Sequence, residues 1–516
     1  MATGVATRRN QYYDSVFLMG VNRRLLDSAG VRQSAVLMGS EANKSLLADL
    51  GIEDVQVQHA RPNDLVAAVI ADSTQAAEAA LAQLDDFLAG GQPAGASPNP
   101  RTLEEGLRLK PAGNLAVISI PGEYAAAEVE KALTAGLHVF LFSSNVPVED
   151  ELRLKRLAGE KGLLLMGPDC GTAILGGVGL GFSNAVRRGP IGVVAAAGTG
   201  LQEFTSQVHA AGSGISHAIG TGGRDLSDAI GGLTAVAGLE ALDRDAQTRV
   251  VAVISKPPGP KALDRLLERI RSTRKPVIGC FLGAGRELVK AKGNLQIAST
   301  IDEAVRVSLG EVGRPVEQDE LGPGDTEEER VRQEARRWSK TQRYVRGLFA
   351  GGTFCYQSQQ ILREAGLHAH SNAPLEPRLK LGDSNRSEQH TLVDMGSEEY
   401  TLARPHPMID GTLRRQRILQ EGGDPETAVL LLDFVLGYNA SADPVGDLLD
   451  GIRQAVQGAR AGGRTLTVVA SICGTREDPQ DLEAQRRLLR EAGVCVFQSS
   501  ARAAAFCASL VNAAGG

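Results

Sequence analysis

The stretches VVAAAGTGLQEF (193–204) and GLFAGGTFCYQSQ (347–359) have the same order of residue types. Each is a short apolar run that ends in a turn of Gly, Ala and Thr and continues with helix-forming residues. This order is typical of a buried strand that passes into a helix, and it leaves several backbone N–H groups free at the positive end of the helix dipole. One such turn is a weak signal, whereas two in one chain predict that a single anion is held between two helix ends.

The segments that follow the two stretches also correspond. VVAVISKPPG (250–259) and KPVIGCFLG (275–283) follow the first, and AVLLLDFVLG (428–437) and LTVVASICG (466–474) follow the second. Unbroken apolar runs separated by amphipathic helices indicate parallel sheets that are covered on both faces. We therefore predict an internal duplication of a flavodoxin-like unit. The alternative is that two unrelated βαβ domains look alike, and the matched turns argue against it.

The chain has 516 residues, more than one hydrophobic core usually organises. The predicted fold class is α/β, with tandem Rossmann-like or flavodoxin-like doubly wound parallel sheets behind a small N-terminal α+β module. GGQPAGASPNP (90–100) is typical of a linker. The predicted segments are a module with its linker at 1–100, an α/β segment at 101–186, a flavodoxin-like unit at 187–315, a charged stretch with an acidic loop and a solvated helix at 316–343, and a second flavodoxin-like unit at 344–516.

The composition argues against several classes of function. The net charge is −6 and the Lys and Arg residues are scattered, so no basic face for nucleic acid is expected. No apolar run is long enough to span a membrane, and the start lacks the apolar core of a signal peptide, so we predict a cytoplasmic protein without membrane contact. The six cysteines are widely spaced and form no CxxC pair, so neither a disulfide framework nor a metal site is predicted, and no cofactor is expected.

Several motifs together resemble a known architecture. MGPDCGTAI (166–174), followed by the stretch at 193–204 and by the two segments after it, resembles the α subunit of succinyl-CoA synthetase. The series from 344 resembles the C-terminal domain of that enzyme's β subunit. With DMGSEEYTLARPHPMID (394–410) in the last unit, the arrangement is similar to the FdrA family, whose members are described as acyl-CoA synthetases and are associated with oxamate carbamoyltransferase. The resemblance covers roughly residues 110–512 and makes 101–186 similar to a CoA-binding domain.

The resemblance implies an activity and partners. Oxamate carbamoyltransferase converts oxalurate and phosphate into oxamate and carbamoyl phosphate. Its substrates would here be phosphate or carbamoyl phosphate together with a small 2-oxo acid amide. Partner subunits in a hetero-oligomer are also implied.

Two departures from the synthetase pattern concern the phosphate. The synthetase carries a phosphorylated histidine in a Gly-His-Ala-Gly loop, but the corresponding stretch here, GAGRELVKAKGNLQIAST (283–300), contains no histidine. The synthetase supports its histidine with a glutamate, and that position is Lys256 here. A carboxylate suits a protonated imidazole, whereas an ammonium suits a bare phosphate. We therefore expect anion binding without a phosphohistidine. Because neither an ATP-grasp region nor a GxxxxGK[ST] loop is present, ATP-driven ligation by this chain alone is not expected.

The two turns supply the candidate anion site through backbone N–H groups and hydroxyls. The alternative is that these are ordinary strand–helix turns, in which glycine is needed for backbone shape. The candidate residues are Gly198, Thr199 and Gly200, which we call the first turn, and Gly351, Gly352 and Thr353, which we call the second turn.

TGGRD (221–225) and MGPDCG (166–171) supply the candidate substrate contacts. Gly222 and Gly223 resemble the Gly-rich loop of this fold, and Arg224 could clamp a carboxylate or phosphate through its planar guanidinium. The alternative for Arg224 is an ion pair with Asp225 or Asp228. By resemblance Asp169 lines the ligand cleft. Cys170 as a nucleophile would need a lowered thiol pKa, and we do not expect that role.

ARPHPMIDGTLRR (403–415) is the most unusual stretch. Two prolines flank His406 and fix the backbone, which helps to aim its side chain. His406 is predicted to be a general acid/base, with Asp410 orienting the imidazole and Arg404 binding substrate. The alternative is a rigid loop whose histidine only packs.

Three functions remain open on the sequence. The first is a carbamoyltransferase component, with Lys256 and His406 as catalytic residues. The second is a subunit of an ADP-forming acyl-CoA synthetase that relies on a partner to bind nucleotide. The third is a non-catalytic scaffold that binds an anion and organises partners.

Overall fold

The computed structural model describes residues 2–515 apart from positions 12, 14, 50, 90–99, 101, 285–292, 316–324 and 402–403. Almost all of the predicted linker at 90–100 and the predicted acidic loop of 316–343 therefore lie outside the described residues, as does the middle of the histidine-free stretch at 283–300. The chain forms two compact units, Met1–Gly106 and Leu107–Gly516. Within the described parts, no helix is both long and apolar enough to cross a bilayer.

The first unit is a small antiparallel sheet with helices. Its strand order is β1-β3-β2, and the central strand LVAAVIA is almost entirely buried because helices cover both sides of it. The strands are β1 (Ala2–Arg8), β2 (Val31–Met38) and β3 (Leu65–Ala71). The helices are α1 (Ser15–Leu26), α2 (Glu41–Asp49), α3 (Val55–His59), α4 (Thr74–Ala82) and α5 (Leu84–Ala89).

The second unit begins with a small parallel sheet of order β4-β5-β6. Its strands are β4 (Leu115–Ile118), β5 (His138–Leu141) and β6 (Leu165–Met166), and the helices of this region are α6 (Leu103–Leu109), α7 (Gly122–Thr134) and α8 (Val148–Glu160).

A seven-stranded sheet of order β13-β12-β11-β9-β10-β7-β8 follows, parallel except for the β7–β8 hairpin at one edge. Its strands are β7 (Thr172–Leu175), β8 (Val178–Gly181), β9 (Arg188–Ala195), β10 (Ile215–Gly220), β11 (Val250–Ser255), β12 (Val277–Phe281) and β13 (Leu295–Ala298). Its helices are α9 (Gly198–Ala210), α10 (Leu233–Arg244), α11 (Pro260–Ser272) and α12 (Ile301–Glu311).

The last sheet has six parallel strands in the order β15-β16-β14-β17-β18-β19. Its strands are β14 (Tyr344–Phe349), β15 (Ala369–His370), β16 (His390–Asp394), β17 (Thr427–Val435), β18 (Thr467–Cys473) and β19 (Cys495–Phe497). The helices are α13 (Asp325–Ala335), α14 (Gly352–Glu364), α15 (Glu398–Thr401), α16 (Thr412–Gly423), α17 (Gly446–Ala461), α18 (Leu482–Glu491) and α19 (Ser500–Gly515).

The strand order confirms the predicted duplication. The series β13-β12-β11-β9-β10 in one sheet corresponds to β19-β18-β17-β14-β16 in the other. In both sheets the Gly-rich turn follows the central strand, β9 or β14. Successive strands are added on opposite sides of that strand, so each turn lies at a topological switch point, where α/β proteins bind ligands.

Across the interface of the two halves, α9 caps the start of α19 and α14 caps the start of α12. Glu203 on α9 accepts hydrogen bonds from the backbone N–H (2.7 Å) and hydroxyl (2.7 Å) of Ser500, at the start of α19. Gln357, at the matching position on α14, accepts the N–H of Ile301 at the start of α12 (2.9 Å). Burial raises the pKa of Glu203 to about 8. This reciprocal capping links the two halves through matching positions on α9 and α14.

Candidate functional site

The two predicted turns meet in the structure. A Cβ placed on Gly200 would lie 2.7 Å from Cγ2 of Thr353, and one placed on Gly351 would lie 2.5 Å from Oγ1 of Thr199. Both distances are shorter than the contacts that real Cβ atoms make. Glycine is therefore required at Gly200 and at Gly351, where the other half of the chain approaches. The predicted convergence of the two helix ends is therefore present as a direct contact.

This contact leads to a prediction about stability. Gly200→Ala should lower the free energy of unfolding by about 1–3 kcal/mol, because the new methyl group overlaps Thr353. Thr353→Ser removes the overlapping methyl and should recover part of that loss, which a double-mutant cycle by chemical denaturation would measure. Gly159→Ala on α8, where a Cβ meets nothing within 4 Å, should be neutral or stabilising and serves as the control. Additive effects of the two substitutions would contradict the contact.

At the second turn, two backbone N–H groups are already bound by a carboxylate of the protein itself. The backbone N–H groups of Ala350 and Gly351 donate to the carboxylate of Asp433 (2.8 and 3.0 Å). Arg414 donates to the same carboxylate (2.7 Å) and to the carbonyls of Leu348 and Asp433. The predicted use of the Gly351 N–H for an external anion is therefore corrected, because an internal anion already occupies that group.

The first turn has no such carboxylate. Strand pairing places Ile254 where the second half has Asp433, and the hydroxyl of the next residue, Ser255, donates to the carbonyl of Lys256 (2.6 Å). Among the hydrogen bonds of the described residues, none uses the N–H groups of Gly198, Thr199 or Gly200. The two turns are thus similar in backbone but different in charge, and the first is the one open to an anion.

A cavity of about 300 Å³ lies beside the first turn, bordered by Ala196 at the end of β9 and by Tyr356 on α14. We call it the Lys256 cavity. The Lys256 ammonium lies 4.5 Å from the ring centre of Tyr356, a cation–π contact, and forms no ion pair within the described chain. Ser227 and Ser255 add hydroxyls, and Leu226 and Leu375 add apolar surface. A small cavity with one free cation suits a small anionic ligand.

Two carboxyl groups lie near Lys256 without pairing to it directly. Asp394, at the end of β16, is buried, and burial raises its pKa while the charge of Lys256 opposes the shift. The N–H of Gly396 donates to Asp394 (3.0 Å). Asp169 follows Pro168 with a φ of 55°, and its Oδ2 lies 3.5 Å from the position of a Cβ on Gly223. Asp169 therefore lies next to Gly223, which lines the cavity, and its place in a ligand cleft stays a prediction.

The TGGRD loop is held by a buried charge network rather than left free. Arg224 donates to Glu151 (3.1 Å) and to the carbonyl of Val146, so the expected alternative pairing with Asp225 or Asp228 is wrong. Asp225 pairs with Lys155 (2.7 Å), and the Asp228 carboxylate accepts the N–H of Lys261 at the start of α11. Gly222 has a φ of 87° and lies against the carbonyl of Pro168, so only glycine fits there.

His406 does not line the Lys256 cavity. Its ring packs on Phe182 at 5.6 Å between centres, and its Nδ1 accepts the N–H of Met408 (3.2 Å). Burial, with the charge of Arg414, lowers the pKa of His406 to about 4, so the imidazole is neutral at pH 7. These contacts favour packing over the predicted acid/base role.

The neighbours of His406 also differ from the expectation. Asp410 accepts the N–H of Thr412 (2.8 Å) at the start of α16, so its predicted role in orienting the imidazole is corrected. Arg404 is exposed on the same loop, and Ala403 of the predicted stretch lies outside the described residues.

All six cysteines are buried, as expected. Cys170 is buried and its thiol donates weakly to the carbonyl of Thr172 (3.6 Å). Burial raises the pKa of Cys170 to about 12, which removes the thiolate that a nucleophile needs. In the described part of the chain, no cluster of three or more His, Cys, Asp or Glu side chains could hold a metal ion.

Comparison with known proteins supports this architecture. The CoA-ligase family model matches residues 348–510. The uncharacterized protein YahF of Escherichia coli K12 is 42% identical over 501 residues, which cover 97% of each chain. This chain belongs to the YahF family. The α1 subunit of the ADP-forming succinate–CoA ligase of Archaeoglobus fulgidus is 28% identical over 44% of this chain and 79% of its own.

A solved structure is similar over much of the chain at low identity. It is the Ca. Korarchaeum cryptofilum dinucleotide forming acetyl-coenzyme A synthetase 1 in complex with phosphate and ADP. It matches 78% of this chain and 82% of its own, with 16% sequence identity and a TM-score of 0.29, and at these values the likeness carries no argument about function. The succinyl-CoA synthetase-like scaffold of the YahF-family chain is supported instead by its sequence relatives and its sheet order.

The first unit matches a second family model, described as "AllF, heavy metal-associated domain", over residues 1–102. Soft metals are bound by thiolates and imidazoles. Residues 1–102 contain no cysteine and a single histidine, His59. The module therefore offers no thiolate and a single imidazole to a heavy metal.

Proposed function

We propose that this chain is a component of a carbamoyltransferase of the oxamate/oxalurate type, as in the FdrA proteins, built on a succinyl-CoA synthetase-like scaffold. The observation that carries the proposal is the Lys256 cavity. Lys256, whose ammonium has no ion pair, and Ala196, two residues before the first turn, both line it, and no described histidine does. A site of this composition suits a phosphate that is released or attacked directly, without transfer to the protein.

The reaction moves a carbamoyl group between an amide nitrogen and phosphate through a tetrahedral centre. Negative charge develops on the carbamoyl oxygen and on the phosphate in the transition state, so donors fixed in advance accelerate it. The first turn and Lys256 would hold the phosphate. The hydroxyl of Tyr356, which lines the cavity and has no hydrogen-bond partner among the described residues, would donate to the carbamoyl oxygen. Gly352 and Thr353 of the second turn remain proposed phosphate contacts.

The 2-oxo acid amide would lie on the other side of the cavity. Gly223 borders that side with Asp169 next to it, and Ser227 offers a hydroxyl. Arg224 would contribute its positive charge while staying bound to Glu151. Arg404 and Gly222 remain proposed substrate contacts on the strength of the sequence alone.

An ADP-forming acyl-CoA synthetase subunit is the second candidate, favoured by the CoA-ligase model and the succinate–CoA ligase relatives. It makes a different prediction about covalent chemistry. Because 283–300 contains no histidine and Lys256 replaces the supporting glutamate, labelled ATP or acyl phosphate should leave no acid-labile, base-stable phosphate on the protein. Stoichiometric label of that kind would revive the synthetase candidate.

An assay of phosphate release tests the proposal and separates it from a non-catalytic scaffold. The purified chain, alone and with the proteins encoded beside it, is incubated with carbamoyl phosphate. Release of phosphate that depends on added oxamate is expected, and the partner proteins are expected to increase it. Release that is the same with and without this chain would leave it as an anion-binding scaffold.

A further inference from the structure

We infer that Asp169 is the group that carries the proton in the transfer, an inference that rests on the proposed function. Its backbone has a φ of 55°, in the left-handed region that side chains other than glycine rarely adopt. The backbone is pinned there, because the N–H of Asp169 donates to the carbonyl of Ser143 (2.9 Å) and the N–H of Cys170 to that of Leu141 (3.2 Å). Unusual backbone conformations of this kind are concentrated at functional sites.

The carboxylate of Asp169 lies next to the cavity wall and is not used for structure. Its Oδ2 lies beside Gly223 on the cavity wall, and no described residue donates a hydrogen bond to it. The residue is exposed to solvent. By contrast Asp225, Asp394 and Asp433 are buried, and each accepts at least one hydrogen bond from a backbone N–H group. Asp169 is thus the exposed carboxylate among these four.

The surroundings of Asp169 shift its pKa so that the protonated and the ionised form are both populated near neutral pH. Desolvation by the surrounding protein, followed by the negative charge of Glu398 on α15, raises the pKa of Asp169 to about 6. Asp394 adds to the rise, and the positive charges of Lys256 and Arg224 oppose it. A general acid/base is most effective when its pKa is near the working pH.

The proton step balances without any further reactant. In the direction of oxalurate formation, the amide nitrogen of oxamate attacks the carbamoyl carbon, the C–N bond forms and the C–O bond to phosphate breaks. The nitrogen loses one proton to the Asp169 carboxylate. The same proton then passes to the departing phosphate, which leaves as the hydrogen phosphate ion. The reverse reaction runs through the same groups.

Asp169→Asn is the test, because asparagine adopts a positive φ readily and should keep the backbone while losing the titration. Carbamoyl transfer from carbamoyl phosphate to oxamate should fall by about 10²–10⁴-fold. The rate of the wild-type chain should rise with pH around a value of about 6. We call this rise the acidic limb of the pH–rate profile, and the limb should vanish in the variant. Glu398→Gln removes a neighbouring negative charge, so it should keep the activity and move the limb to lower pH, a shift that a merely structural role would not produce.

The outcomes separate the two proposals. If wild-type protein with its partners transfers no carbamoyl group, the proposed function fails. If the wild-type protein transfers it and Asp169→Asn matches its rate and pH profile, the function stands and the role of Asp169 is overturned. If Glu398→Gln keeps full activity and its acidic limb does not move, the role of Asp169 is also overturned.

Discussion

Lys256→Met should lower kcat/KM for carbamoyl phosphate by about 10²–10³-fold, the usual effect of removing one fixed donor from a developing anion. Methionine keeps the length and apolar stem of lysine and its contact with Tyr356 but removes the ammonium. Because no described carboxylate pairs with Lys256, the substitution leaves no buried charge without a partner. Stability should therefore change little, and the lost rate reports on the ligand.

Two variants control this result. Lys256→Arg keeps a positive charge and should retain more activity than Lys256→Met. Lys261→Met removes an exposed lysine at the start of α11, outside the cavity wall, and should leave kcat/KM unchanged. Steady-state kinetics at several carbamoyl phosphate concentrations measure all three. Equal losses in Lys256→Met and Lys261→Met would show that only the overall charge matters.

Arg414→Met should lower the free energy of unfolding by about 3–5 kcal/mol, the usual cost of leaving one partner of a buried ion pair. Arg414 and Asp433 are both buried, and this carboxylate also holds the N–H groups of Ala350 and Gly351. Arg415→Met, the same substitution at the next, exposed position of α16, should cost less than about 0.5 kcal/mol. Chemical denaturation measures both, and equal losses would contradict the role of the buried pair.

The Arg414→Met defect should depend on pH. Burial already raises the pKa of Asp433 above its ordinary value, and loss of Arg414 would raise it further. A carboxyl group whose pKa is higher in the folded than in the unfolded state binds its proton more tightly in the folded state. Stability in the variant should therefore recover as the pH falls from the folded pKa towards the unfolded value of about 3.9. A defect of constant size from neutral to acid pH would argue against an unpaired Asp433 as its cause.

The sequence was sufficient for the parts of the fold that depend on local pattern. The strands and helices at 193–204 and 347–359 follow from an unbroken apolar run, a Gly-rich turn and a helical period, and the structure has β9–α9 and β14–α14 there. The correspondence of later segments predicted the repeated strand order. It also predicted that the first and second turns would lie together, because matched turns follow matched central strands.

Other features could not be derived because they depend on contacts between distant residues. In the sequence, Asp433 only interrupts an apolar strand. Its role depends on the fold, which brings its carboxylate to the N–H of Ala350, 83 positions earlier in the chain. Tyr356 reaches Lys256 only because two halves of the chain pack together. The β7–β8 hairpin was missed because its strands have four residues each, although Gly176 and Gly177, both at positive φ, are a recognisable turn signal. The two prolines that flank His406 predicted a rigid backbone, but they did not indicate which way its side chain points.

The central claim is that the Lys256 cavity supports carbamoyl transfer between phosphate and an amide nitrogen, and formation of that bond can be observed directly. Carbamoyl phosphate labelled with ¹³C is mixed with oxamate labelled with ¹⁵N at its amide, in the presence of the chain and the proteins encoded beside it. We predict that NMR detects a one-bond ¹³C–¹⁵N coupling in newly formed oxalurate, that phosphate is released in equal amount, and that both signals fall with Lys256→Met. Absence of the coupling in wild-type protein, with acyl-CoA formed instead when ATP, CoA and a carboxylic acid are supplied, would contradict the account.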